Sequence, residues 1–126
     1  MTRRSGVVVS GACPASHKAT PAPLVRTHYV VVRADLPQGF LAAQIVHAAG
    51  ESSPGNLPNG THAVVLAVPD EPALAVVERA LAKAGVPHVA VREPDPPWDG
   101  ALTAIGVRPV EDRRPVRRVL GRLPLL

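Results

Sequence analysis

Apolar residues along the chain follow two patterns: short continuous runs, and longer stretches in which apolar positions recur every three or four residues. The continuous runs are rich in β-branched residues, as in strands covered on both faces. The predicted strands are YVVV (29–32), HAVVLAV (62–68), VPHVAVRE (86–93) and ALTAIGV (101–107). The helical spacing occurs in FLAAQIVHAAGES (40–52), in residues 70–84 and in VEDRRPVRRVLGRL (110–123). The predicted order is therefore β-α-β-α-β-β-α.

Alternating strands and helices predict an α/β fold, in which helices on both faces cover a mixed, mostly parallel four-stranded sheet. The third and fourth strands follow one another without a helix, which leaves room for one antiparallel pair. A chain of 126 residues suits one domain. We expect this domain to occupy residues 25–126, after a disordered tail over residues 1–24 that contains the Ser/Pro-rich segment SHKATPAP.

Composition limits the kind of core, the cofactors and the location that we expect for this domain. The chain is 46% hydrophobic but only 2% aromatic, so its core must consist mainly of Val, Leu, Ile and Ala. A single cysteine, Cys13, excludes an internal disulfide, and no Cys/His set has zinc spacing, so we expect no metal or cofactor and a cytoplasmic location. No apolar run approaches the roughly 18 residues that span a bilayer, and we expect no membrane association.

The amino end could be mistaken for an export signal. Arg3 and Arg4 precede GVVVSGAC, but this apolar stretch is brief, and Ser10 occupies a position where a lipoprotein signal has an aliphatic residue. The sequence therefore favours a disordered tail or an upstream, misplaced start over an export signal.

The predicted helix over residues 40–52 contains the first candidate functional residues. Gln44 and His47 lie three positions apart, which predicts a shared polar edge. Ligands of open α/β sheets bind outside the carboxyl ends of strands, where Arg33 and Asp35 end the first strand beside this helix. On sequence alone, a half-buried structural histidine and a glutamine that caps a neighbouring strand or loop are equally consistent with the pattern.

The segment EPDPPWDG, residues 93–100, places carboxylates at the end of the third strand. Asp95, Asp99 or Glu93 could orient and deprotonate a water molecule, although acidic residues between prolines are more often solvated turn formers. Trp98 could stack on a nucleobase, or it could cover the edge of the core.

Arginines dominate the predicted carboxyl-terminal helix. They are Arg113, Arg114, Arg117, Arg118 and Arg122. Three of them recur every four residues and form one stripe. With a net charge of +4 and an isoelectric point near 10.2, this stripe suits a nucleic-acid backbone. The alternatives are a solvated face partly paired with Glu111 and Asp112, or the arginine bias of a coding sequence rich in G and C.

The segment VVVRADLPQGFLAAQIVHAA resembles the start of the type 2 (archaeal/eukaryotic-type) peptidyl-tRNA hydrolases. In that family a valine-rich strand with an Arg-x-Asp-Leu step leads through a Gly-containing turn into a helix with Ala-Ala-Gln-x-x-His-Ala. The matching residues are Arg33, Asp35, Leu36, Gly39, Ala42, Ala43, Gln44, His47 and Ala48. The resemblance continues through AVPDEPALAVVERALAKAGVPHVAV and TAIGV to the terminal GRLPLL, and covers about residues 27–126.

This resemblance implies a metal-independent hydrolase that cleaves the ester joining a peptide to tRNA, on an α/β domain that often dimerises. It implies that Gln44 and His47 position substrate and water, while Asp95 or Asp99 acts as the base. The tRNA would be contacted by Arg33, Phe40, Trp98, Arg114, Arg118 and Arg122.

The sequence departs from the family pattern at three places. Phe40 stands where the family has a lysine, the Asp-x-Gly-x-Thr loop has become EPDPPWDGAL, and Ala101 lies near the position of a later threonine. Asp95 or Glu93 is the best counterpart of the loop aspartate. Two further hypotheses follow: a noncatalytic tRNA- or RNA-binding relative, and a small-molecule hydrolase or binding protein that uses the altered loop and Trp98.

Overall fold

Four strands and three helices make up the part of the protein that the computed structural model describes, residues 25–126. The elements are β1 (Thr27–Arg33), α1 (Gln38–Ser52), β2 (His62–Val68), α2 (Glu71–Lys83), β3 (His88–Glu93), β4 (Ala101–Val107) and α3 (Arg114–Leu120). The predicted order is confirmed. The expected tail and the signal-like segment lie outside the described residues. No helix within residues 25–126 is long and apolar enough to cross a membrane.

The sheet has the strand order β2-β1-β4-β3. The β1 and β2 strands are parallel, because α1 carries the chain back over the sheet, whereas β4 is antiparallel to both β1 and β3. The sheet is mixed, as predicted, but the expectation that it is mostly parallel, with room for one antiparallel pair, is not met. The β4 strand inserts between β1 and β3, so two of the three pairs are antiparallel.

Side chains of β1 alternate between the two faces of the sheet, which explains its continuous valine run. Val30 and Val32 join a core beneath α1, while Tyr29 and Val31 join the larger core beneath α2 and α3. The prediction of helices on both faces is therefore confirmed. It follows that α1 and α3 lie on opposite faces of the sheet.

The second helix has the boundaries expected from its sequence. The carboxylate of Asp70 accepts a hydrogen bond from the backbone N–H of Ala73 at 3.0 Å, which caps the first turn. Gly85 follows the helix with a φ of +71°, in the left-handed region that favours glycine. The side chains of Leu74, Val77 and Leu81 are buried in the core.

The carboxyl-terminal end of α1 lies directly against the backbone of β4. A Cβ atom at Gly106 would overlap the carbonyl oxygen of Ala48 and the hydroxyl of Ser52. The Ser52 hydroxyl donates to that carbonyl at 2.6 Å, so its oxygen accepts the hydrogen bond from Nε2 of His28 at 2.8 Å. Burial lowers the pKa of His28, which favours its neutral form. These contacts fix α1 against β1 and β4.

The last residues of the chain cover the outer edge of β2. The backbone N–H of Ala67 donates to the carbonyl of Pro124 at 2.9 Å, and the N–H of Leu126 donates to the carbonyl of Val65 at 3.0 Å. This short antiparallel pairing occupies hydrogen-bonding groups that an edge strand would otherwise expose.

We expect Gly106→Ala to lower the free energy of unfolding by about 1–3 kcal/mol, because α1 must move to admit a methyl group. Gly50→Ala is the matched control: Gly50 lies within α1 and has no atom within 4 Å of an added Cβ, so alanine should stabilise the protein by about 0.4–1 kcal/mol. Urea denaturation would measure both changes. Equal effects of the two substitutions would contradict close packing at Gly106.

Candidate functional site

The carboxyl end of β1 is organised around Arg33. Its guanidinium donates two hydrogen bonds to the carboxylate of Asp35, from Nε to Oδ1 at 2.7 Å and from Nη2 to Oδ2 at 2.9 Å. This bidentate bond holds the pKa of Asp35 below its usual range and raises the pKa of Arg33. Both side chains are therefore ionised at neutral pH.

A β-bulge at the start of β4 receives support from the same arginine. Val91 pairs with Ala104 and Arg92 pairs with Leu102, which leaves Thr103 without an opposite residue. The backbone groups of Leu102 bind charged side chains: its carbonyl accepts from Nη1 of Arg33 at 3.2 Å, and its N–H donates to Glu71 at 2.7 Å. Arg33 and Glu71 thus hold the peptide that begins β4.

Aromatic side chains stand next to Arg33. The rings of Phe40 and Trp98 are stacked, with their centroids 4.8 Å apart and their planes at 7°, and Cζ of Arg33 lies 5.7 Å from the centre of the Trp98 ring. Both rings also pack on the core beneath α1 and are half-buried. The structure therefore brings together three residues predicted to contact tRNA: Arg33, Phe40 and Trp98. These three residues, together with Asp35 and Glu71, are called the strand-end cluster below.

Gln44 is buried, with 3% of its surface exposed. Its amide contacts the hydroxyl of Thr103 at 2.7 Å, and that hydroxyl also lies 3.2 Å from the carbonyl oxygen of Val91. The Thr103 hydroxyl has one proton, which it donates to Oε1 of Gln44, the nearer of these two acceptors. Gln44 therefore anchors α1 to the bulge of β4.

His47 faces solvent. Its side chain is 64% exposed, and Nε2 lies 3.7 Å from the carboxylate of Glu51, one turn along α1. The predicted polar edge shared by Gln44 and His47 is therefore wrong. The side chains of residues three apart point in directions about 60° apart around the helix axis. Gln44 lies on the side of α1 that covers the sheet, whereas His47 lies on the side that faces solvent.

Asp95 and Asp99 lie in the exposed loop between β3 and β4. The backbone carbonyl of Asp95 accepts from the N–H groups of Trp98 and Asp99, at 2.9 and 3.3 Å, which closes a tight turn. Asp99 has a φ of +48°, which aspartate tolerates better than most residues. Within residues 25–126, neither carboxylate forms an ion pair or a hydrogen bond to Gln44 or His47.

The arginines near the carboxyl end lie on the opposite face of the sheet from α1. Since α3 ends at Leu120, Arg122 lies beyond the helix and the predicted stripe is shorter than expected. Arg114 forms a bidentate bond with Asp112, with both contacts at 2.9 Å, which lowers the pKa of Asp112 to about 2. Among the described residues, Arg117, Arg118 and Arg122 form no ion pair.

An apolar groove of about 590 Å³ opens beside the strand-end cluster, between α2 and the carboxyl-terminal segment. Its lining includes Ala34, Val68, Pro69, Ala73, Val76 and Pro124. No group of three or more His, Cys, Asp or Glu residues in the described part of the chain is arranged to hold a metal ion.

The profile of the peptidyl-tRNA hydrolase PTH2 family matches residues 27–126, from the first residue of β1 to the end of the chain. The protein belongs to the PTH2 family. The match includes every strand and helix described above, so the resemblance inferred from sequence is confirmed. A comparison with curated proteins finds no match.

Sequence reasoning missed the structural roles of Thr103 and Glu71 in this PTH2 domain. Thr103 is the one polar residue in the apolar run ALTAIGV (101–107). This exception could have marked it as a buried residue that needs a hydrogen-bond partner. Its pairing with Gln44 was not predictable, because the bulge sets the direction of its side chain. Glu71 lies in the first turn of α2, and nothing in its local sequence predicts that its carboxylate also binds the N–H of Leu102.

We expect Gln44→Ala to lower the free energy of unfolding by about 1–3 kcal/mol, because it removes a buried hydrogen-bond partner of Thr103. His47→Ala, a matched change on the exposed side of the same helix, should alter it by no more than about 0.5 kcal/mol. Denaturant unfolding measures both. The double variant Gln44→Met, Thr103→Val should be more stable than the sum of its single changes predicts. Strict additivity would contradict the pairing.

Proposed function

We propose that this protein hydrolyses the ester bond between a peptidyl or aminoacyl group and tRNA. Water adds to the ester carbonyl, and the 3′-terminal ribose oxygen leaves with a proton, which releases a free acid and free tRNA. The observation that carries this proposal is the PTH2 family match over residues 27–126. The reaction needs a place for the 3′ end of tRNA, a proton acceptor and cationic contacts to phosphate.

The strand-end cluster is the proposed place for the 3′ end. The stacked Phe40 and Trp98 rings offer an aromatic surface, and base stacking on such side chains contributes about 1–3 kcal/mol per base. Arg33 fixes this surface by its contacts to Trp98, Asp35 and the carbonyl of Leu102. In this proposal Arg33 orients the aromatic pair and its remaining N–H groups contact substrate.

Two kinds of residue then act on the ester. His47 is exposed and contacts substrate or water, while Gln44 acts as a positioning residue through Thr103. Asp95 or Asp99 accepts the proton from water. Their exposure, and the lack of an ion pair to either within residues 25–126, support this role.

A noncatalytic tRNA-binding function is the second candidate. It is favoured by Phe40, which stands where the resemblance expects a lysine, and by the bonds that already engage Arg33 with Asp35 and Leu102. Transition-state charge on an ester oxygen is normally stabilised by preorganised donors, and the side chain at position 40 supplies none. Binding without cleavage would identify this function.

Three arginines in and just after α3 are the proposed phosphate contacts. Arg117, Arg118 and Arg122 are exposed and form no ion pair among the described residues, so their charge is available to tRNA. They lie on the face of the sheet that α2 and α3 cover, and Glu71 of the strand-end cluster belongs to α2 on that same face. A tRNA bound at both places therefore need not cross the sheet.

We expect the purified full chain to release N-acetylated amino acid from charged tRNA. Asp95→Asn and Asp99→Asn each remove one charge and nearly preserve shape, and only the substitution of the true base should lower kcat, by about 10²–10⁴-fold. Asparagine also tolerates the positive φ at position 99. Unchanged kcat in both variants would refute this assignment of the base. Stable tRNA binding by wild type without product release would establish the noncatalytic function instead.

The logarithm of tRNA affinity should fall linearly with the logarithm of salt concentration. Arg117→Ala with Arg118→Ala should reduce the magnitude of that slope by roughly one to two units, because each lost phosphate contact contributes about 0.7–0.9. Arg79→Ala with Lys83→Ala removes the same charge from exposed positions of α2 and should leave the slope nearly unchanged. Equal slopes for the two double variants would show that only net charge matters.

A further inference from the structure

The apolar groove lies at the same end of the sheet as the strand-end cluster and shares its backbone segments. Ala34 lines the groove and is flanked in the chain by Arg33 and Asp35. Pro69 and Ala73 line it as well, and they bracket Asp70 and Glu71. A molecule whose reacting bond lies at the cluster can therefore extend into the groove without crossing the sheet.

The chemistry of the groove selects against nucleic acid. Its described lining is apolar, and Val76 in α2 is 56% exposed. Residues next to or between the lining segments carry four carboxylates and two guanidinium groups in the described chain: those of Asp35, Asp70, Glu71, Glu78, Arg33 and Arg122. This net negative rim repels phosphate but attracts an ammonium group, and the apolar lining favours hydrocarbon side chains.

We infer that this groove binds the peptidyl part of the substrate and favours peptides with apolar side chains and a free amino terminus. The inference rests on the proposed ester hydrolysis, because it assigns the two ends of that substrate to adjoining surfaces. The volume of about 590 Å³ falls within the range of about 300–1,000 Å³ common for ligand sites. Asp70 is the carboxylate for the peptide ammonium, since it caps α2 and forms no ion pair within residues 25–126.

The first test measures peptide binding to the full chain without tRNA. Leu-Leu-Leu-amide should shift the backbone NMR signals of Ala34, Ala73 and Val76, and Gly-Gly-Gly-amide should not. Val76→Asp should abolish these shifts, while Val46→Asp, at a 72% exposed valine of α1, should preserve them. Asp70→Asn keeps a competent helix cap and should make the free-amine peptide bind no better than its N-acetyl form.

The second test compares hydrolysis of one tRNA esterified with either trileucyl or triglycyl peptide. Wild type should prefer the trileucyl ester by about tenfold or more in kcat/KM, since buried methylene groups discriminate at this level. Val76→Asp should abolish the preference by slowing the trileucyl ester alone, and Val46→Asp should retain it.

The outcomes separate this inference from the proposed function. Hydrolysis of both esters at equal rates, with no NMR shifts in the groove, would overturn the peptide site and leave ester hydrolysis intact. Groove shifts with trileucine but hydrolysis of neither ester would overturn the proposed function and support peptide binding. The Val76 signal could instead shift with protein concentration in the absence of peptide, and Val76→Asp could disrupt a dimer. That result would assign the groove to a second copy of the chain and overturn the inference.

Discussion

The close approach of α1 to β4 at Gly106 determines where the other parts of the candidate site lie. With no side chain between them, the carbonyl of Ala48 and the hydroxyl of Ser52 sit directly over the strand. That contact sets the helix at its carboxyl end, the Gln44–Thr103 hydrogen bond sets it near its middle, and stacking of Phe40 on Trp98 sets its amino end. A helix fixed at three points cannot slide on the sheet, so residues at its start keep a defined distance from the carboxyl end of β1.

Local sequence determines most of the elements, and for this reason they were predictable. Valine runs, the Asp70 cap and Gly85 are signals within a few residues of the structure they specify. The position of β4 is not a local property. Its pairing with β1 joins segments far apart in the chain, and the sequence of β4 alone does not exclude a place at the edge of the sheet. The predicted elements were therefore right, while the balance of parallel and antiparallel pairs was wrong.

The residues of the candidate site also fall into two groups, those that local sequence could place and those that it could not. Arg33 and Asp35 are two residues apart, so sequence could place them together, and that spacing allows the bidentate bond that the structure shows. Sequence could not separate the buried Gln44 from the exposed His47, because only the position of the sheet decides which side of α1 is covered. Nor could it place Trp98 against Phe40, which requires α1 and the loop after β3 to meet in space.

An aromatic residue at position 40, where the resemblance expects a lysine, determines how charge can be used at the strand-end cluster. Arg33 has five N–H groups, and three of them bind Asp35 and the carbonyl of Leu102. Two remain for hydrogen bonds to substrate, but the carboxylate of Asp35 offsets the positive charge, and that of Glu71 lies 3.9 Å from Nη1. Arg33 is thus better suited to orient an oxygen atom than to neutralise one that gains negative charge. In the proposed reaction, rate enhancement would come chiefly from positioning the ester and water, and catalysis should be slower than at a site where a free lysine faces the oxyanion.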